Sequence, residues 1–203
     1  FARDELETPV WDPAFFLDDD ERLYLYWGCS NETPIYGIEL NYAQNFDFIG
    51  EPKELKHANP KRFGWEVPGD YNKRSPWIEG AWMNKHMGKY YLQYSGPGTE
   101  FKSYSDGVYV SGSPLGPFEV QKHNPFAYRP EGYPAGAGHG STFKDQHGNY
   151  WHIGTITISQ KHIFERRLGL FPAFFDENGT LYCNTRFGDY PMILPEEKIR
   201  DFE

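Results

Sequence analysis

Glu79 lies in the stretch Ser75-Pro-Trp-Ile-Glu-Gly-Ala-Trp-Met83, one acid between Trp77 and Trp82 with Gly80 directly behind it. An unpaired carboxylate among aromatic rings is costly to bury, and the usual relief is a raised proton affinity. A carboxyl group that keeps its proton near neutrality is a proton donor, which is a catalytic property. The competing reading is structural: Glu79 bonds a backbone amide or an arginine such as Arg74. A second acid, Asp12, precedes Pro13 in Trp-Asp-Pro, a common way to open a turn. The histidines His139, in Gly-Ala-Gly-His-Gly, and His162, in Lys-His-Ile-Phe, are the other side chains whose chemistry invites a role.

The elements that must position these groups read as short strands. Residues Asp18–Gly28, Asn84–Gly96, Asp145–Thr155 and Asp176–Gly188 share one plan: a polar turn, then an aromatic strand ending near a glycine. Their aligned turn residues, Glu21, Gly88, Gly148 and Gly179, are spaced by 67, 60 and 31. The last step is about half the others and reads as a second hairpin within one repeat. Helical periodicity is absent, and 21 glycines and 16 prolines interrupt most candidate helices. The fold class expected is all-β, with a propeller of four-stranded blades ahead of a sandwich.

Composition narrows the function. Aromatic residues make up 18% of the 203, far above a disordered chain, and flat rings suit the C–H faces of sugars. The net charge is −9 without a basic stripe, which disfavours nucleic acid as a partner. The longest apolar run, Leu-Gly-Leu-Phe-Pro-Ala-Phe-Phe, is broken by Pro172 and falls short of a membrane span. Cys29 and Cys183 allow one disulfide or two free thiols. The chain opens at Phe1 without a Met or a signal peptide, which reads as a mature form or a fragment.

Four segments together resemble glycoside hydrolase family 43, five-bladed β-propeller enzymes acting on xylans, arabinans and related plant polysaccharides. Residues 11–28 are similar to its Asp-Pro segment with an acidic turn and aromatic strand. Residues 75–95 are similar to its Glu-Gly segment, reading Glu-Gly-Ala where Glu-Gly-Pro is common. Residues 104–119 are similar to a strand and turn ending Ser-Pro-Leu-Gly-Pro-Phe, and residues 136–155 to a Gly-His stretch.

The resemblance implies Glu79 as general acid and Asp12 as the aspartate that orients it, with the two tryptophans and an ionised Asp12 raising its proton affinity. It implies His139 near the central channel. Trp77, Trp82 and Trp151 are candidates for stacking on sugar, although core packing explains each equally well. Arg166 is a candidate donor to sugar hydroxyls, and His162 a candidate ligand of a structural calcium ion in the channel; no cofactor is required. Asp18, Asp19 and Asp20 read as a solvated turn.

The family's water-activating base sits in the preceding blade, and no segment before Asp12 resembles it. Five blades of roughly sixty residues need about 300, so residues 1–203 read as one partial catalytic propeller domain of three to four blades. The resemblance implies a β-xylosidase or α-L-arabinofuranosidase, taking an oligosaccharide or polysaccharide substrate in xylan degradation. Periplasmic or extracellular placement and further blades of a parent chain are expected with it. A degenerate, non-catalytic carbohydrate-binding propeller is the alternative that the missing base keeps open.

Overall fold

A computed structural model describes residues 9–69, 74–132, 135–158, 161–162, 164–187 and 193–199. They form three four-stranded antiparallel sheets, each built from strands consecutive in sequence. The first contains β1 (Ala14–Leu17), β2 (Leu23–Trp27), β3 (Ile35–Asn41) and β4 (Asp47–Lys56). The second contains β5 (Glu79–His86), β6 (Lys89–Gly96), β7 (Ser105–Ser111) and β8 (Glu119–Val120). The third contains β9 (Ala135–Lys144), β10 (Tyr150–Thr157), β11 (Arg166–Phe175) and β12 (Leu181–Cys183). Short 3-10 turns are the sole helical elements among the described residues. This is the all-β, blade-wise architecture that the turn spacing predicts.

The repeat rests on one turn. Asp18, Asp145 and Asp176 each exchange backbone hydrogen bonds across a five-residue connection, with Asp18 N–H on Arg22 O, Asp145 N–H on Asn149 O and Asp176 N–H on Thr180 O. The residue three positions on, Glu21, Gly148 or Gly179, then turns left-handed, with φ of 65°, 88° and 76°. Glycine suits that conformation because no Cβ crowds the following carbonyl, whereas Glu21 holds it as a strained exception. The third of these turns joins β11 to β12, so the half-length step is the second hairpin of one sheet.

Period-two alternation does the packing. On β6, Tyr90, Leu92 and Tyr94 face the first sheet and join Tyr24, Tyr26, Ile35, Ile78, Ala81 and Met83 in one core. Tyr91, from the opposite face, joins Val108, Phe126, Ala127, Ala137, Ile156, Phe171 and Leu181 between the second and third sheets. Each aromatic buries about 150–250 Å², so a sheet only a few residues wide can still be held face to face with its neighbour.

Two sequence expectations change here. Asp18 is not a solvated turn residue: it is 4% exposed and accepts from Tyr90 Oη at 2.5 Å and from Lys85 Nζ, while Asp19 faces solvent. Trp151 is 3% exposed, and its indole N–H donates to Asp145 Oδ2 at 2.8 Å, so it packs the core and is closed to a sugar.

Candidate active site

Three β-bulges build the site. On β5, Glu79 pairs with Ser95 and Trp82 with Gln93, so β5 carries one residue more than β6 over that stretch. On β9, Gly138 pairs with Thr155 and Ser141 with Ile153, the same surplus. Ahead of β1, Gly28 N–H donates to Trp11 O at 2.9 Å while Ala14 pairs with Tyr26, again one residue too many. The second residue of each bulged stretch is left-handed: Asp12 (φ 50°), Gly80 (φ 61°) and His139 (φ 51°). A bulge re-aims a side chain that a regular pleat would send elsewhere. For Asp12 and His139 the left-handed backbone costs roughly 1–3 kcal/mol each, strain that typically gathers at functional sites.

The bulges lie at the same end of consecutive sheets, and their side chains meet. One oxygen each of Asp12 and Glu79 and the sulfur of Cys29 lie within 4.8 Å of one another. The His139 Nε2 stands 4.0 Å from Asp12 Oδ2, an oxygen shielded from solvent and without a hydrogen bond. Gly80 is where the His139 ring fits: a Cβ there would come within 3.0 Å of the ring carbon Cδ2. The glycine behind Glu79 is thus needed twice, for its backbone and for the space.

The Glu79 carboxylate accepts from Tyr104 Oη at 2.6 Å and from Cys29 Sγ at 3.2 Å. Burial and the Glu79 charge push the Tyr104 phenol and the Cys29 thiol well above their ordinary pKa, so both stay protonated donors near neutrality. Tyr104 is 2% exposed, which makes this a fixed mount for Glu79. Cys29 and Cys183 are both free thiols, so the disulfide option falls away.

The tryptophans stand apart from this mount. Trp82 is half-buried and donates from its indole to Thr142 O at 2.8 Å, across to the third sheet. Trp77, just ahead of β5, is partly exposed, with its backbone N–H on Pro97 O at 2.8 Å. Arg166 opens β11 at the site's end of the sheets and donates to Thr99 Oγ1 at 2.7 Å. His162 is exposed, against the Phe164 ring. Calcium takes six to eight oxygen ligands, whereas His162 offers nitrogen, and no metal-like group of three donors among the described residues includes it.

The structure thus brings Asp12, Glu79 and His139 together. Tyr104 and Cys29 were missed. Tyr104 opens one of the segments that the sequence singles out and Cys29 directly follows another, but nothing in their residue types marks them as partners of an acid 25 and 50 positions away.

The family model described as Glycosyl hydrolases family 43 matches residues 3–181. The chain belongs to this family. Among curated proteins, a β-xylosidase of Xylanibacter ruminicola is 28% identical over 137 residues, covering 54% of this chain and 39% of the relative. Solved structures of family 43 share the fold. A thermostable family-43 glycoside hydrolase superposes with a TM-score of 0.78 at 23% identity, over 98% of this chain and 64% of that one. A xylan β-1,4-xylosidase from Bacillus halodurans C-125 gives 0.71 at 22% identity, over 97% and 38%. An exo-1,5-α-L-arabinanase from a bovine ruminal metagenomic library gives 0.66 at 20% identity, over 90% and 60%. The family 43 chain described here thus spans less than two thirds of the length of each.

Proposed function

We propose that this family 43 chain carries the acid half of a glycosidase site that cleaves β-xylosides or α-L-arabinofuranosides of plant polysaccharide, outside the cytoplasm. The observation that carries the reading is the convergence of Glu79 with Asp12 and His139 from bulges at the openings of three successive sheets, with Tyr104 and Cys29 fixing the Glu79 carboxylate. The β-xylosidase and arabinanase relatives support the substrate class.

In an inverting glycosidase, an acid protonates the departing oxygen while a second carboxylate activates water from the opposite face. Those two carboxyls stand roughly 6.5 to 9.5 Å apart, to leave room for the water. Asp12 approaches Glu79 within 4.8 Å, which is too close. It suits the supporting role of orienting Glu79, and the base belongs to the blade before it. His139 and Arg166 would supply donors to sugar hydroxyls, and the exposed face of Trp77 would stack on a ring; Trp82 would brace β5 against β9. Partners are oligosaccharides or polysaccharides and the remaining blades of the propeller. The assignment routes no step through a metal ion.

The test is Glu79→Gln in the intact protein, assayed on aryl glycosides with good and poor leaving groups. Acid assistance contributes on the order of 10²–10⁴-fold. Cleavage of the poor leaving group should fall by about that factor, while the activated substrate, which needs little protonation, is spared. Equal rates for variant and parent on both substrates would make Glu79 a structural residue.

A further inference from the structure

Beneath the three bulges lies a buried polar chain that touches no open surface. Asp106, on β7, is 1% exposed, and His152, on β10, is fully buried. Asp106 Oδ2 and His152 Nε2 stand 2.9 Å apart, and neither atom has an in-line hydrogen-bond partner. A carboxyl group this deep is costly to bury unless its oxygens find partners. Its other oxygen, Oδ1, accepts from the Ser95 hydroxyl. The Ser95 Oγ in turn accepts from the backbone N–H of His139 at 2.6 Å.

The direction of the chain follows from donor counting. Gln93 donates its amide to Asn84 Oδ1, which leaves Gln93 Oε1 to accept from Thr142 Oγ1 at 2.8 Å. The hydroxyl has one proton, so the 3.0 Å contact between Thr142 Oγ1 and His152 Nδ1 must have the imidazole as donor. With Nδ1 so fixed, Nε2 is aimed at Asp106. Gly140 makes room for the pair: a Cβ there would collide with both Asp106 Oδ2 and His152 Nε2. Phe126 packs edge-on against the His152 ring, centroids 5.1 Å apart, and closes the space from the side.

Ser95 is the position where this chain meets the site. It is the cross-strand partner of Glu79 and the acceptor for the strained His139 amide. His139 has a left-handed backbone that its side chain disfavours, so something must hold it there. We infer that Asp106 and His152 are positioning residues of the site: through the Ser95 hydroxyl they lock the His139 bulge, and so seat the His139 ring against Gly80, beside Asp12. They act through Ser95 and touch no substrate. The inference rests on the reading of Glu79 as an acid only for its effect on turnover, since the seating of His139 is observable without catalysis.

The seating has a spectroscopic signature. The Gly80 α-proton that a Cβ would replace faces the His139 ring, so the ring current moves it from its random-coil position. The experiment is proton NMR of the chain and of Ser95→Ala, with hydrogen exchange at the His139 amide. In Ser95→Ala the Gly80 α-proton shifts should relax toward random coil and the His139 amide should exchange about tenfold faster, as expected for one lost hydrogen bond. Resonances of Trp27 and Leu25, in the first sheet, should stay in place. Asp106→Asn keeps the shape and an oxygen for Ser95 but removes the charge, and should give a smaller change in the same direction. It also decides the matter if Ser95→Ala does not fold. In the active parent protein, both variants should lower kcat more than they raise KM. A folded Ser95→Ala or Asp106→Asn variant with unchanged Gly80 shifts and His139 exchange would overturn the inference. An unaltered Glu79→Gln enzyme would leave it standing.

Discussion

Replacing Gly80 by alanine tests whether this glycine is needed for its backbone alone or also for the ring it faces. Gly88, in the β5–β6 turn, is the internal control. Both glycines are left-handed, with φ of 61° and 74°, but an added Cβ meets nothing within 4 Å at Gly88 and lies 3.0 Å from the His139 Cδ2 at Gly80. The backbone penalty is common to both, about 1–2 kcal/mol for an L-residue in that conformation. At Gly80 the His139 ring must also give way by a few tenths of an ångström. Its side chain is 39% exposed, so it can swing toward the cleft, and an off-rotamer shift of that kind costs about 1 kcal/mol. Gly80→Ala should therefore destabilise by about 2–3 kcal/mol and Gly88→Ala by about 1–2 kcal/mol. For a domain of this size that difference is a melting temperature about 2–4 °C lower for Gly80→Ala than for Gly88→Ala. Urea unfolding and thermal melts of the two variants, run side by side, measure it. Equal losses, or a larger loss at Gly88, would refute the claim that the His139 ring occupies the space behind Glu79.

Two further outcomes follow from paired and hydrogen-bonded charges in the structure. Lys56 and Glu66 form an ion pair at 3.1 Å with both side chains almost wholly buried, and Glu66 also accepts from Tyr94 Oη at 2.6 Å. Lys56→Met should cost about 3–5 kcal/mol by leaving Glu66 uncompensated, and adding Glu66→Leu should recover much of it, as a double-mutant cycle in urea will show. At Asp145, burial raises the carboxyl pKa, but the donors Trp151, Asn149 and His147 outweigh it and hold it down to about 2. A depressed folded-state value means stabilisation that is present above about pH 4 and lost as pH falls toward 2, so Asp145→Asn should flatten the acid limb of the stability profile over that window. An unchanged slope between pH 4 and 2 would show that these hydrogen bonds do not discriminate the ionised form.

The all-β class and the blade-like repeat were legible from residues alone, for a local reason, whereas the nearness of Asp12, Glu79 and His139 was implied only by the family resemblance of their segments. A left-handed turn favours glycine, as at Gly148 and Gly179, and a two-faced strand such as Lys89–Gly96 must alternate its side chains whatever it packs against. In the structure those segments open three successive sheets, with their bulges at one end. What tertiary structure alone decided depends on partners distant in sequence. Asp18 resembles its neighbours Asp19 and Asp20 in type, yet is buried because Lys85 and Tyr90, some seventy residues on, reach it. Tyr104 and Cys29 become the mount of Glu79, and Asp106 meets His152, only because strand pairing sets the register. The bulges are the clearest case: each is a mismatch of one residue between two strands, a property of the pair that neither strand carries by itself.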